Sequence, residues 1–337
     1  MLPFVRQEVS LIAALPAMAS LYGRTLIDTL HSRVGEEEQL RARDDLAEGD
    51  YFNGGWTRVL THHGQRDGDP RGVYGAGPSF DYDFAAVQVG ADFYRKQDEP
   101  DGHRTHAGAF VAYGKGDGEV EHSFINWTLH AGRNKFDART LGFYWTTFAA
   151  SGSYLDAVAQ LTDYEMTAQS LRFPANRTDA LGVALSLEGG LPRALGEHWR
   201  IEPQGQVIYQ SLDVDSFRDP FATVRFSQTD SLAARAGARL ARRWTSQSPG
   251  GATRLTDGWL VANVWHEFKG DPQTEFSTAR GYVPFRADLG GSWYQLGIGL
   301  TLQVTSATYL YGDVEYARDT DGDDEAVNAK LGVRIQW

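Results

Sequence analysis

Apolar and polar residues alternate at every second position in the last segment of the chain, 327–337. One parity carries Val327, Ala329, Leu331, Val333, Ile335 and Trp337. The other carries Asn328, Lys330, Gly332, Arg334 and Gln336. Successive side chains of a β-strand point to opposite faces, so this strand has one apolar and one charged face. The alternation recurs about a dozen times, with little helical sequence to cover the apolar faces. A closed barrel, apolar outside and polar inside, fits this pattern better than a soluble sheet does.

The alternation predicts twelve antiparallel strands, and single-chain bacterial barrels have an even number. In chain order they are 56–63, 82–96, 106–115, 139–148, 154–166, 180–190, 199–212, 231–244, 259–268, 293–304, 308–318 and 325–337. The connections alternate between long loops rich in Asp, Gly and Pro and mostly short turns, with 245–257 as an exception. Long loops on one rim and short turns on the other are typical of outer-membrane barrels.

Composition excludes several classes of protein. The 337 residues include no cysteine, so disulfides and thiolate metal sites are excluded. With 44 acidic and 32 basic residues the net charge is −12, which argues against nucleic acid as a partner. Mean hydropathy is −0.41, and no uninterrupted apolar stretch reaches the ~18–20 residues of a membrane helix. These values fit a soluble all-β protein. They fit a membrane barrel equally well, because half of the residues of each strand face water.

The residues before the first strand predict a helix. Leu11, Leu15, Met18, Tyr22, Leu26 and Leu30 recur at spacings of three and four, which places them along one stripe. A helix over 10–33 would be about 35 Å long, close to the height of a membrane barrel, and Pro16 would bend or restart it. The sequence therefore divides into a helix and linker over 1–50 and a barrel over 51–337. Ala17-Met18-Ala19 could also be a signal-peptidase site, but the charged segment before it is poor.

Charged residues within the strands are predicted to face the interior, because an Arg or Lys facing the bilayer midplane costs roughly 2–4 kcal/mol. These residues are Arg58, Asp92, Arg139, Asp156, Glu188, Glu202, Arg235, Arg239, Glu267, Lys330 and Arg334. Both signs are present, so the charges can pair across the pore or with the helix, where Arg24 and Asp28 are natural partners. Either these contacts seat the helix, or they simply balance charge in a wide lumen.

Two further residue types fit a barrel. Glycines on the inward parity would leave room for a helix or relieve crowding: Gly182, Gly237, Gly297 and Gly299. Aromatic residues also cluster near strand ends, where some would form interfacial girdles and others could be ordinary core residues: Trp145, Tyr154, Trp199, Trp259, Trp265, Trp293, Tyr294, Tyr316 and Trp337.

Several motifs resemble one known family. Residues 13–16 (Ala-Ala-Leu-Pro) and 22–36, which begin Tyr-Gly-Arg-Thr-Leu-Ile-Asp, resemble the segment that opens the translocator domain of type Va autotransporters, closest to the pertactin-like branch. Further similarities are Trp-Thr-Arg at 56–58, Leu-Gly-Phe-Tyr at 141–144, Trp-Arg-Ile-Glu-Pro-Gln at 199–204 and the aromatic C-terminus. The similarity covers essentially the whole chain, and the order and spacing of the motifs make it fairly specific.

The resemblance implies a twelve-stranded antiparallel transmembrane β-barrel in the bacterial outer membrane, with the N-terminal α-helix inside its pore. Leu15, Tyr22, Arg24, Asp28 and Leu30 would belong to that pore helix, which would run from the cell surface to the periplasmic rim. The implied role is secretion and surface anchoring of an N-terminal passenger domain in the same chain. The implied partners are the β-barrel assembly machinery, for which Trp337 would be a recognition signal, periplasmic chaperones and outer-membrane lipids.

The sequence indicates no enzyme, cofactor or metal. Some family members cut themselves through an asparagine in the helix, but this chain has no Asn before Asn53. Cleavage assisted by Asp28 and the lumenal acids stays open. The acidic segment 319–325 has its glycine in the wrong place for an EF-hand.

Two alternatives remain for the function. A general porin or channel would lack the N-terminal pore helix. An outer-membrane barrel hydrolase would use acid and histidine pairs on the long-loop rim, where Asp213, Asp215, His266 and Glu267 are the only candidates.

Overall fold

Twelve antiparallel strands close into a barrel around two helices. The computed structural model describes residues 5–36, 54–98, 102–124, 127–247, 251–320, 322 and 324–337. The strands are β1 (Gly54–Arg66), β2 (Phe80–Asp98), β3 (His103–Phe124), β4 (Trp127–Phe148), β5 (Tyr154–Ser170), β6 (Asn176–Gly190), β7 (Trp199–Val214), β8 (Thr229–Gln247), β9 (Thr253–Glu267), β10 (Gly291–Gln303), β11 (Thr308–Asp319) and β12 (Glu325–Gln336). Each strand pairs with its neighbour in sequence, and β12 pairs with β1, with Gly54 opposite Gln336. The predicted fold is confirmed, and closure leaves none of these twelve strands with an open edge.

The strands β3 and β4 are longer than the sequence predicts. Each has 22 residues. The segment 116–136 was predicted as a long loop, but most of it forms a paired hairpin. Gly116 and Gly118 gave this region the composition of a loop. Outward-facing charges support the ladder instead: Arg133 Nε lies 2.7 Å from Asp117 Oδ1 on the adjacent strand. The exception predicted at 245–257 also disappears, because β8 runs to Gln247 and β9 begins at Thr253.

One predicted interior charge faces outward. Arg139 is exposed on the outer face of β4, where its Nη1 lies 2.7 Å from Glu165 Oε1. It shares this face with the exposed apolar residues Leu141 and Phe143. The prediction for Arg139 was wrong because β4 continues beyond the apolar band. At that level an outward charge meets water and counter-charges, and the cost of facing hydrocarbon does not apply.

The N-terminal segment forms two helices where one was predicted. The helix α1 spans Glu8–Ile27 and continues through Pro16, and α2 spans Leu30–Val34. Asp28 separates them with φ 55° and ψ −150°, a conformation that residues other than glycine rarely adopt. Thr29 then caps α2, because its side-chain oxygen accepts a hydrogen bond from the Ser32 backbone N–H at 3.2 Å. The helix predicted over 10–33 is therefore interrupted near its C-terminal end.

The helix α1 is long and apolar enough to cross a membrane, but 89% of its most apolar window is buried within the protein. It packs against the inner faces of β2 to β7, and of its residues only Arg24 is partly exposed. The possible signal-peptidase site, 17–19, lies in the middle of this helix. Residues 37–50 of the predicted helix-and-linker region and residues 51–53 of the predicted barrel lie outside the described residues.

The two longest loops fold into a second small sheet. Its four strands, which we call the loop sheet, are Phe217–Arg218, Thr223–Phe226, Gln273–Thr278 and Gly281–Arg286. Val224, Phe276 and Phe285 of the loop sheet join the apolar core that contains α1. The sequence analysis predicted only loops here. The loop sheet therefore covers the pore at the long-loop rim, on the side where the N-terminal end of α1 lies.

Candidate functional site: a helix held in the pore

Aromatic residues of the barrel surround the middle of α1. The fully buried ring of Tyr22 makes edge-on contacts with Phe84, Phe136 and Tyr164, with centroid distances of 5.8, 5.3 and 6.0 Å. A Cβ placed on Gly114 would lie 2.1 Å from the Tyr22 hydroxyl oxygen. Glycine at position 114 is therefore what allows the Tyr22 ring to lie against the wall.

The glycines predicted to leave room for the helix have another role. A Cβ on Gly299 would lie 2.2 Å from the Trp259 ring, and one on Gly237 would lie 2.0 Å from Asn263 Oδ1. Gly182 and Gly297 likewise lie beside side chains of neighbouring strands. The glycines that accommodate the helix are Gly114, Gly118 and Gly132, beside Tyr22, Met18 and Leu11 respectively. The run of alternating glycines over 114–118 was the available signal.

Four barrel side chains donate hydrogen bonds to backbone carbonyls of α1. Asn134 Nδ2 donates to Leu11 O at 2.7 Å, and Gln160 Nε2 donates to Gly23 O at 2.9 Å. The Tyr164 hydroxyl and Gln210 Nε2 donate at 3.2 Å to Ala19 O and Ser20 O. Donors from three strands, β4, β5 and β7, therefore fix the height and rotation of α1 through its main chain.

Buried charges hold the chain at the break between the helices. Lys330 Nζ lies 2.5 Å from Asp28 Oδ2, 2.8 Å from Glu315 Oε2 and 3.2 Å from Asp313 Oδ2. Arg58 Nη1 lies 3.3 Å from the same oxygen of Asp28, and Arg58 Nη2 donates to Leu26 O at 2.8 Å. The side chains of Lys330 and Arg58 are fully buried. These contacts over-determine the unusual backbone of Asp28 and keep it in place.

A second group of buried polar and charged contacts surrounds α2 at the short-turn rim. Arg33 Nη2 lies 2.7 Å from Asp156 Oδ1, and His31 Nε2 lies 2.8 Å from Glu202 Oε1. Glu36 Oε2 lies 2.8 Å from Arg239 Nη2.

Two backbone contacts complete this end of the pore. The Leu30 N–H donates to Glu188 Oε2 at 3.0 Å, and Arg334 Nη2 donates to Glu36 O at 3.2 Å. The sequence analysis did not single out His31, Arg33 or Glu36. Their signal was the appearance of charged residues directly after an apolar helix.

Of the remaining residues predicted to lie in the pore, some contact the helical segment and others contact only the barrel strands. Arg24 lies over the Trp293 ring at 4.6 Å and pairs with Glu267 Oε2 at 3.4 Å. Asp92 instead accepts a 2.5 Å hydrogen bond from the Tyr144 hydroxyl, and Arg235 Nη2 lies 3.3 Å from Glu188 Oε1. Thus eight of the predicted lumenal charges contact the N-terminal segment, from Arg24 to Glu36. In contrast, Asp92 and Arg235 pair with residues of the barrel strands. Leu15 and Leu30 are buried in the pore.

The aromatic residues predicted near strand ends lie on both faces of the barrel. Tyr154, Trp259, Trp265 and Trp293 face the interior, so these four are core aromatic residues and not girdle residues. The reason is that inward-facing rings can fill the space above glycines of adjacent strands, as the Trp259 ring does above Gly299. Trp145, Trp199 and Trp337 are exposed on the outer surface.

The N-terminal end of α1 is fixed at the long-loop rim. Arg6 pairs with Asp219 and lies over the Phe221 ring at 4.8 Å. Glu8 Oε1 accepts a hydrogen bond from the Ser170 hydroxyl at 2.8 Å, and Ser10 Oγ lies 2.8 Å from His122 Nδ1. Both ends of the helical segment are therefore bonded to the barrel.

The residues considered for a hydrolase do not converge. His266 is exposed and lies 2.7 Å from Ser292 Oγ, whereas Glu267 is buried and bonds to Arg24 and Ser231. They are consecutive strand residues, so their side chains point to opposite faces. Asp213 and Asp215 are exposed on a different part of the rim. Within the described part of the chain, no group of three His, Asp or Glu residues could hold a metal ion.

The fold and its occupied pore define a class: a transmembrane barrel closed by its own N-terminal helix. A family model described as "Autotransporter beta-domain" matches residues 55–315. The chain therefore belongs to the autotransporter β-domain family, and it is a translocator barrel of the bacterial outer membrane.

Curated relatives are autotransporters. The adhesin BmaC autotransporter of Brucella suis biovar 1 is 25% identical over 331 residues, which cover 94% of this chain and 9% of the relative. The pertactin autotransporter of Bordetella parapertussis is 26% identical over 296 residues, which cover 86% of this chain and 28% of the relative. The chain therefore spans less than a third of either relative.

Solved structures share the fold. The transport unit of the autotransporter AIDA-I from Escherichia coli aligns with a TM-score of 0.70 at 14% identity, covering 96% of this chain and 99% of that chain. The translocator domain of NalP from Neisseria meningitidis aligns with a TM-score of 0.64 at 14% identity, covering 96% and 98%.

Proposed function

We propose that this chain conducts an N-terminal passenger polypeptide across the outer membrane and then anchors it at the cell surface, with α1 and α2 as plug and stalk. The observation that carries this proposal is the orientation of the helical segment. The N-terminal end of α1 lies at the long-loop rim beside Asp219 and Phe221, and α2 lies at the short-turn rim. Long loops face outward in outer-membrane barrels. A polypeptide attached before α1 would therefore leave the pore on the outside of the cell.

The ion pairs around α1 and α2 support a role in retention. Each charge buried in the lumen would be costly if it lost its partner, so withdrawal of the helix would expose several unpaired groups at once. We infer that these pairs seat the helix, the first of the two roles considered for the lumenal charges. A general channel would have no use for a segment bonded at both ends.

The plug predicts a large effect on ion conductance. The intact chain in a planar bilayer should pass little current, and a chain lacking residues 1–48 should form an open pore, because the helix occupies the lumen. Both proteins are first checked for barrel structure by circular dichroism. Equal currents from the two barrels would contradict the plug and favour the general channel.

The passenger proposal extends to its partners. We propose that the β-barrel assembly machinery and periplasmic chaperones deliver the barrel to outer-membrane lipids. Trp337, exposed on the outer surface directly after β12, is suited to be read during assembly. This role for Trp337 stays a prediction.

We also propose that the barrel performs no chemical reaction of its own. Lys330 and Arg58 both bind Asp28 Oδ2, so the carboxylate is held in place and restrained from turning to attack the adjacent peptide bond. The purified full chain should keep its intact mass during prolonged incubation. Appearance of fragments that end at residue 28 would show that acid-assisted self-cleavage does occur.

A further inference from the structure

The outer surface of the barrel carries an apolar groove with a volume of about 1040 Å³. This outer groove runs across β1 and β8 to β12. Small residues form its floor, including Gly258, Gly312 and Ala329, and larger exposed residues such as Leu260 and Leu331 form its sides. In the outer membrane, this surface faces the bilayer. The occupant of the outer groove must therefore be compatible with hydrocarbon.

A single cation lies among the residues that line the outer groove and face outward. The guanidinium carbon of Arg242 lies 5.3 Å from the centroid of the Trp199 ring and 5.2 Å from that of Trp244. Its Nε is buried and has no hydrogen-bond partner among the residues that the structure describes. Two aromatic rings thus position the guanidinium group while at least one of its donors remains unused.

Arg242 lies near the short-turn rim. It is paired with Trp199, the first residue of β7, and β8 ends at Gln247 soon after it. Exposed tryptophans at this level are typical of a membrane interface. The anion found at this depth is the phosphate of a lipid headgroup, and Arg is well suited to bind phosphate.

We propose that the outer groove binds one glycerophospholipid of the periplasmic leaflet, with its acyl chains along the groove and its phosphate on Arg242. The charge of Arg242 complements the phosphate, and the apolar floor complements the chains. This inference goes beyond passenger secretion and does not depend on it, because it requires only a barrel in a membrane. A bound lipid would fix the side of the barrel where β12 meets β1.

The proposal can be tested by native mass spectrometry of the full chain, purified in detergent, delipidated and titrated with phosphatidylglycerol. The intact chain should retain one lipid molecule. Arg242→Ala should weaken binding about tenfold, because a charge-assisted hydrogen bond is lost. Diacylglycerol with the same chains should bind about tenfold more weakly than phosphatidylglycerol for the same reason. Glycerol phosphate without chains should not be retained, which distinguishes a lipid from a free phosphate.

Two further variants separate a specific site from general lipid adhesion. Arg254→Ala removes a basic residue at the same rim, on β9, that does not line the outer groove, so binding should be unchanged. Ala329→Trp fills the floor of the groove and should abolish retention while circular dichroism shows an intact barrel. The proposal is overturned if Arg242→Ala binds phosphatidylglycerol as the intact chain does, or if Arg254→Ala weakens binding equally.

Discussion

Replacing Lys330 with methionine is expected to lower the free energy of unfolding by about 3–5 kcal/mol, the range found when one partner of a buried ion pair is removed. Lys330 is fully buried and lies within 3.2 Å of carboxylate oxygens of Asp28, Asp313 and Glu315. After the substitution, Arg58 remains beside Asp28, but the other two carboxylates lose their cation. Urea unfolding in detergent micelles, followed by tryptophan fluorescence, measures the loss.

The matched control is Lys115→Met. Lys115 also pairs with a carboxylate, Asp137 at 3.1 Å, but its side chain is 65% exposed on the outside of β3. An exposed pair contributes little, so this variant should unfold like the parent chain. A double variant, Lys330→Met with Asp313→Asn, should recover part of the lost stability because one unpaired charge is gone. If both lysine variants behaved alike, burial of the Lys330 cluster would have no energetic consequence and the proposed seating of the helix would fail.

Gly114→Ala is expected to displace the pore helix. The added methyl carbon would lie 2.1 Å from the Tyr22 hydroxyl oxygen and 2.7 Å from the ring carbon that bears it. Tyr22 is enclosed by three other rings, so it cannot turn aside without moving α1. Overpacking of this kind costs about 1–3 kcal/mol. The variant should therefore unfold more easily and should also pass current in a planar bilayer.

Gly205→Ala provides the control for this change. A Cβ at Gly205 would have its nearest neighbour, Arg235 O, at 3.7 Å, which is an ordinary contact. That variant should remain closed and stable. Combining Gly114→Ala with Tyr22→Leu should cost less than the sum of the two single changes, because residues in contact are coupled. Additive losses, or a closed pore in Gly114→Ala, would show that Tyr22 does not depend on Gly114.

The sequence was sufficient to predict the barrel because each strand repeats one simple pattern. Along β10, Leu296, Ile298 and Leu300 are exposed while Gly297 and Gly299 face inward, as the alternation predicts. For Arg139, alternation alone gives the correct outer face, which it shares with Leu141 and Phe143. The prediction failed because charges in strands were assigned to the interior without knowledge of their height relative to the membrane. The extensions of β3 and β4 were also missed, because their outer faces carry paired charges while Val120, Ala131 and Phe136 are buried on the inner face.

The identity of the ion pairs could not be predicted from the sequence. Lys330 on β12 meets Asp313 and Glu315 on β11 and Asp28 from the far end of the chain. Those contacts depend on strand register and on the height of the helix in the pore, neither of which a periodic pattern specifies. The break at Asp28 has the same origin, since the contacts that stabilise it come from β1, β7 and β12.

The hydrogen bonds to the carbonyls of Leu11, Ala19, Ser20 and Gly23 recognise α1 through atoms that every amino acid possesses. Substitutions at Leu11, Ala19 or Ser20 leave the acceptor in place, whereas Gly23 is constrained because a Cβ there would lie 2.5 Å from Gln210. At these three positions the barrel donors place no requirement on the side chain of α1, whereas Tyr22 and Arg24 contact the barrel through their side chains. A helical segment transferred to another barrel should therefore be held only if that barrel keeps both these donors and the partners of Tyr22, Arg24 and Asp28.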